Sequence, residues 1–435
     1  MVCDVWGSTV NSTWVGGESS FWNIASNWNP SVIPDNDGNT FSVIIDSNVL
    51  ALDEIEAMFQ QSRTINQLDC YGRVDLDNFD NPSLQLILTD PNGLTNHGRL
   101  DLEINIQGNF TNRSGGYTFV SQRDITDANV YNENGATLEI EYYLGVDPGS
   151  FTNYGTVILG IGGELFVDRY RLTNNGVILM RQALVVTGED NGLAEDIVNA
   201  HSGKICGSGQ ILGSANIANE GIIRALDGDL IVATAFGGNI INTGTLQNDV
   251  GSSLHISSGT IDCNNQGIIN INANGSITFK LQDFFSEPNA CTLKNEPNGI
   301  IKLLGGTLAA TTITQKADAN FAGFGGITGN VVIEPNGLIK LTGPTNIVGS
   351  VTINAGATLE IRDGQTLITG QTTNNGTIRL IGGTVIFQGG YSGSGNITHE
   401  AGTYRNHFDL NSDGIEDFKD FATFADNWLW QATWY

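Results

Sequence analysis

The chain has 435 residues, 40% of them hydrophobic and 15% charged, with 55 Gly but only nine Pro. That is the composition of an ordered protein with many tight corners, not of a disordered linker. Nineteen basic against 46 acidic residues leave a net charge of −27, which excludes nucleic acid as a partner because phosphate binding needs clustered Lys and Arg. There is no run of 18 apolar residues, so no segment is read as a membrane span.

The first residues, MVCDVWGSTVN, lack the basic and apolar regions of a secretory signal. The alternatives are a mature or truncated extracellular product and a cytoplasmic protein. The acidic surface, suited to a soluble protein outside the cell among divalent cations, favours the first. The cysteines (Cys3, Cys70, Cys206, Cys263, Cys291) are odd in number and in no CxxC spacing, and are read as buried thiols acting as small apolar residues.

Residues 1–50 contain TWVGGESSFWNIASNWNPSVIPDNDGNTFSVIID, with Trp14, Trp22 and Trp28 followed by Pro30, Pro34 and a strand Phe41–Ile45. This Trp-x-Gly-Gly…Trp…Asn-Trp…Pro segment resembles the start of autotransporter-like bacterial surface solenoids, which implies an elongated adhesin-like protein. A repeat array must close its first coil, and three indoles with two prolines can do so. A cap is therefore preferred to a carbohydrate platform for the three tryptophans. Between 51 and 93 the pattern is weak. LDEIEAMFQQ is the one candidate helix, TINQLDCYGRVDL the first coil, and Asp75, Asp77 and Asp80 a solvated acidic loop rather than a metal or acid/base site.

From there to residue 403 one corner recurs, as in Asn96-His97-Gly98, Asn153-Tyr154-Gly155, Asn174-Asn175-Gly176, Asn265-Gln266-Gly267 and Asn374-Asn375-Gly376, with Asn134-Gly135, Asn298-Gly299 and Asn336-Gly337 as shorter forms. Most steps are near one or two units of about 20 residues, and apolar residues stand second and fourth after the glycine, as at Val157/Leu159 and Ile378/Leu380. So short a unit buries its apolar face only by stacking. The expected fold is all-β, a right-handed parallel β-helix (β-solenoid) with about three short strands per coil over residues 51–403. The corner glycines are expected to supply positive φ.

Stacked coils turn sequence positions into columns. The third residue after each corner glycine faces outward: Asp101, Ile158, Leu179, Arg224, Gln247, Asn270, Lys302, Lys340 and Arg379. Its basic members form either a stripe for anionic polysaccharide or charges that discourage strand-to-strand aggregation, and the second reading is preferred. Glu139, Glu141, Glu164, Asp168, Arg169 and Arg171 are the nearest approach to the carboxylate-and-base constellation of a polysaccharide-cleaving β-helix. They carry no recognisable catalytic motif, so no catalytic residue is assigned.

The sharpest motif is the last. In DLNSDGIEDFKD, oxygen donors Asp409, Asn411, Asp413, Asp417 and Asp420 stand at loop positions 1, 3, 5, 9 and 12, Gly414 at 6, and Ile415 offers its carbonyl at 7. This is the oxygen cage of a Ca²⁺ site. Phe418, Phe421, Phe424, Ala425, Trp428 and Leu429 then follow at helical spacing. Residues 409–429 resemble half of a type I dockerin, so residues 404–435 are expected to be a calcium-binding, helical EF-hand-like tail. The resemblance implies a cohesin-like partner, but a second loop is missing, since Asp35-Asn36-Asp37-Gly38 lacks a donor at position 1. The expected function is a secreted or cell-surface, non-catalytic adhesin or scaffold that contacts polysaccharide or a cell-surface component. The alternative is a glycoside hydrolase, a lyase or an accessory subunit of a polysaccharide-degrading assembly.

Overall fold

The structure, a computed structural model, describes residues 9–16, 20–36, 39–50, 54–78, 81–188, 197–234, 238–259, 262–281 and 291–406. The chain divides into two compact units, Met1–Ile223 and Arg224–Tyr435, each a parallel β-solenoid in its described part. The predicted calcium ligands Asp409, Asn411, Asp413, Ile415, Asp417 and Asp420 and the helix after them lie outside the described residues, as do Cys3 and Asp80.

In the first unit the opening strand, Thr9–Trp14, pairs antiparallel with Trp28–Asn29 and parallel with Thr40–Asp46. The three indoles pack together here. Trp14 and Trp22 pack edge-on against Trp28, Trp22 stacks on Phe59, and all three are buried. Their ring nitrogens are satisfied internally where described, Trp22 Nε1 donating to Pro34 O and Trp28 Nε1 to Trp22 O. Indoles buried in this way cannot serve as a sugar platform. Asp35 of the rejected second calcium loop accepts from Arg63 at 2.7 Å.

A regular coil then has three strands. Arg99–Glu103, Asn105–Gln107 and Phe110–Asn112 lie in register on Arg73–Asp77, Gln85–Leu88 and Leu94–Asn96. Alternation decides which side chains go inward, so Val74, Leu100, Thr118, Leu138, Val157, Ile178 and Ile205 form one buried column. Burying each Leu, Ile or Val contributes about 1.5–3 kcal/mol. The second unit repeats the arrangement, with Leu246, Ile269, Ile301, Phe321, Ile339, Leu359 and Ile378 in one column.

Three expectations are corrected. LDEIEAMFQQ does not form a helix. Ile55–Met58 is a strand on Arg73–Asp77, with Ile55 and Ala57 inward, and the short helix lies earlier, at Ser47–Leu50. Asp75 and Asp77 belong to a strand, not a loop, because Val74 and Leu76 alternate with them into the core. Most corner glycines also act differently from the prediction. Gly155, Gly176 and Gly376 do not have positive φ. They are required because a Cβ would meet backbone of the coil below, 2.1 Å from Gly155 O in the case of Gly176. Positive φ occurs at other corners, as at Gly135 (+82°), Gly356 (+80°), Asn298 (+72°) and Asn336 (+63°).

Many corner asparagines point inward, whereas Asn134, Asn298 and Asn336 are exposed. In the first unit Asn96, Asn112, Asn132, Asn153, Asn174, Asn199 and Asn219 form a buried ladder, each Nδ2 donating to the next Oδ1 at 2.7–2.9 Å. Most also donate to a backbone carbonyl beyond the corner, as Asn153 does to Val177 O at 3.2 Å. In the second unit the ladder runs Asn242, Asn265, Asn295, Gln315. Buried amides are stable only when satisfied, and the repeat satisfies them along the stack.

Candidate functional site

One face of the first unit is set apart by its chemistry. It is built from Phe110–Asn112, Ala128–Asn132 and the ends of Thr137–Asn153 and Glu164–Asn174. Phe110, Val130, Phe151 and Leu172 alternate inward and are fully buried, which turns their neighbours outward. The outward column is Thr111, Tyr131, Thr152, Thr173, and beside it Asn129 stands in register with Ser150. The short polar side chains fix one another: Asn109 Oδ1 accepts from Asn129 N at 2.7 Å, and Ser150 Oγ donates to Asn129 Oδ1 at 2.6 Å.

Three tyrosines are left exposed on and beside this face: Tyr131 (41%), Tyr154 (50%) and Tyr170 (52%). A shallow groove of about 580 Å³ lies at the Asn132 edge, lined by Thr111, Arg113, Ser114, Tyr131, Glu133, Asn134 and Tyr154. Its charges cancel, since Arg113 Nη1 meets Glu133 Oε1 at 2.6 Å and Ser114 N donates to Glu133 Oε2. A second groove of about 420 Å³ lies at the opposite edge, between Asp127, Asn129, Pro148 and Tyr170. The first groove continues a corner column, because backbone bonds to successive corners place Tyr71, His97, Arg113, Glu133 and Tyr154 above one another. There Tyr71 and His97 stack with ring centroids 4.3 Å apart. Rigid aromatic faces beside fixed hydrogen-bonding groups suit an uncharged polyhydroxylated ligand.

A different face gathers carboxylates. Glu56, Asp75 and Asp101 lie in one register column, and Asp77 and Glu103 in the next. Asp75 Oδ1 is buried without a hydrogen-bond partner. Burial, then the charges of Glu103, Asp77, Asp101 and Glu56, push the Asp75 carboxyl up to about 7. Arg123, whose pKa burial lowers, sits by Glu103 and Asp77. The native state thus holds a proton on Asp75 that the unfolded chain has lost, so stability falls as pH rises from about 4 to about 7 and stays lowered above. Asp75→Asn should therefore raise the melting temperature at pH 8 by roughly 2–4 °C, an increment reduced by salt, and leave it unchanged at pH 4. A variant less stable than wild type at pH 8 would contradict this.

The other nominated residues are dispersed. Glu139 accepts from the Tyr117 hydroxyl and lies opposite Ile158, whereas Glu164 lies opposite Tyr143. Asp168 pairs with Arg169, and the Asp147 carboxyl is raised, by burial first and then by its hydrogen bond to Asp168. In the predicted basic column, Lys302, Ala322, Lys340, Glu360 and Arg379 are successive members. Glu360, buried, takes hydrogen bonds from Arg362 at 2.5 Å and Arg379 at 3.2 Å, so the stripe is interrupted by its own counter-ion. Among the described residues no group of three or more His, Cys, Asp or Glu is placed to hold a metal ion, and no helix is long and apolar enough to cross a membrane. No family model matches the chain, and none of the curated proteins matches it.

Proposed function

We propose that this chain is a secreted or cell-surface solenoid that holds an uncharged polysaccharide on its tyrosine-bearing face, as an adhesin or scaffold without catalytic activity. One observation carries the reading: in a chain of net charge −27, Tyr131, Tyr154 and Tyr170 are exposed around a face of Thr, Asn and Ser whose larger groove pairs Arg113 with Glu133. The acidic remainder would repel uronates and sulfated glycans, leaving neutral ones. Affinity electrophoresis through gels containing neutral glucan, mannan or xylan should retard the full chain. Tyr131→Ala and Tyr154→Ala should each weaken retention by about tenfold, the loss of roughly 1.4 kcal/mol per aromatic contact. Equal retention of wild type and the double variant, or retention only in polyuronate gels, would overturn it.

A second reading, a polysaccharide hydrolase or lyase, is favoured by Asp75, a carboxyl protonated near neutral pH among carboxylates. It requires release of reducing ends or unsaturated products from a bound polysaccharide, lost in Asp75→Asn. The tail is proposed to bind one Ca²⁺ through Asp409, Asn411, Asp413, Ile415, Asp417 and Asp420, and to attach the chain to a cohesin-like partner. Calorimetric titration of the chelator-treated chain should show one Ca²⁺ site that Asp409→Ala removes, and no calcium heat in wild type would end that proposal.

A further inference from the structure

We infer that Cys263 and Cys291 are a disulfide pair. Their Sγ atoms stand 3.1 Å apart, closer than two sulfurs in ordinary van der Waals contact, and both residues are buried, at 2% and 0% exposure. The backbone brings them there. Asp262–Asn265 lies in register on Thr292–Asn295 with Cys263 opposite Leu293, and Cys291, two residues before Leu293, is buried as Leu293 is. An S–S bond of about 2.05 Å therefore needs an approach of roughly 1 Å. The other described cysteines, Cys70 and Cys206, belong to the first unit, where they lie opposite Asn96 and Leu179.

The bond forms by thiol–disulfide exchange with a low-molecular-weight disulfide of the glutathione type. One cysteine thiolate attacks the donor, releasing one donor thiol and leaving a mixed disulfide, and the second thiolate displaces the other donor thiol. In sum, two cysteine thiols and one donor disulfide give one protein disulfide and two donor thiols, with two electrons passing to the donor. Because both sulfurs are buried, exchange belongs to folding, before these coils close. The bond closes a loop between positions 28 residues apart, which restricts the unfolded chain and ties two coils of the second unit together. In a reducing pool the pair stays as two thiols, so its state reports the compartment in which the chain folded. The inference is independent of the glycan reading.

The test is peptide mapping of the full chain, refolded from denaturant in a glutathione redox buffer and alkylated without reduction. A linked peptide pair containing Cys263 and Cys291, lighter by two hydrogens than the two thiol peptides, is expected, with three of the five cysteines alkylated. Reduction should lower the melting temperature by about 5–10 °C. Cys263→Ala and Cys291→Ala should each melt at the same temperature in oxidised and reduced buffer, which separates loss of the bond from loss of packing. Alkylation of all five cysteines, a glutathione adduct on either residue without the cross-link, or a cross-link to another cysteine would overturn the inference.

Discussion

Replacing Asn153 by alanine should cost the first unit about 3 kcal/mol, because two ladder neighbours and a carbonyl lose a buried partner at about 1–3 kcal/mol each. Asn153 Oδ1 accepts from Asn132 Nδ2 at 2.8 Å, its own Nδ2 donates to Asn174 Oδ1 at 2.8 Å, and that Nδ2 also reaches Val177 O. Alanine removes all three bonds at a position with no exposure, where water cannot replace them. Thermal melting should drop by roughly 6–12 °C. Thr152→Ala, one residue away on the outward side, should change it by less than about 1 °C. Equal effects at the two positions would mean that the amides are not a connected ladder.

The second large effect separates two kinds of corner. Gly176→Ala should destabilise by about 3 kcal/mol, since its Cβ would stand 2.1 Å from Gly155 O and 2.6 Å from Tyr154 C, both backbone atoms of the coil below. Relief requires the coils to part locally. Gly162→Ala has the less favourable dihedral, φ +75°, but nothing within 4 Å of the new methyl, so it should cost only the left-handed penalty of about 1 kcal/mol. Denaturant unfolding of the two variants checks the order. If Gly162→Ala proves the more damaging, the corner is set by dihedral preference and not by close approach.

These corners show how far the sequence is legible. Alternation such as Val74/Leu76 or Ile378/Leu380 fixes which side chains enter the core, because a strand in a stacked coil has only two sides. The asparagines were visible as turn residues, yet their role was not, since an amide ladder exists only once coils are in register. Asn112, Asn132 and Asn199 escaped notice because other residues follow them than the short Asn-x-Gly corner. Ile55–Met58 was mistaken for helix because Glu, Ala and Met favour helices, and four residues carry too little period to outvote them. The tyrosine-bearing face was missed for a related reason. Thr111, Tyr131, Tyr154 and Tyr170 are spread over 60 positions and meet only through register, and the one local signal was an outward Tyr131 beside the inward Val130.

Tyrosine footprinting tests the central claim most directly. The full chain would be nitrated with and without the neutral polysaccharide that retards it, and modification read at each exposed tyrosine by mass spectrometry. Tyr142, exposed but lining neither groove, serves as the internal control. The account predicts that ligand slows modification of Tyr131 and Tyr154 by about tenfold, the occupancy expected near ten times Kd, while Tyr142 reacts unchanged. Equal protection of Tyr142, or unaltered rates at Tyr131 and Tyr154 under saturating ligand, would contradict it.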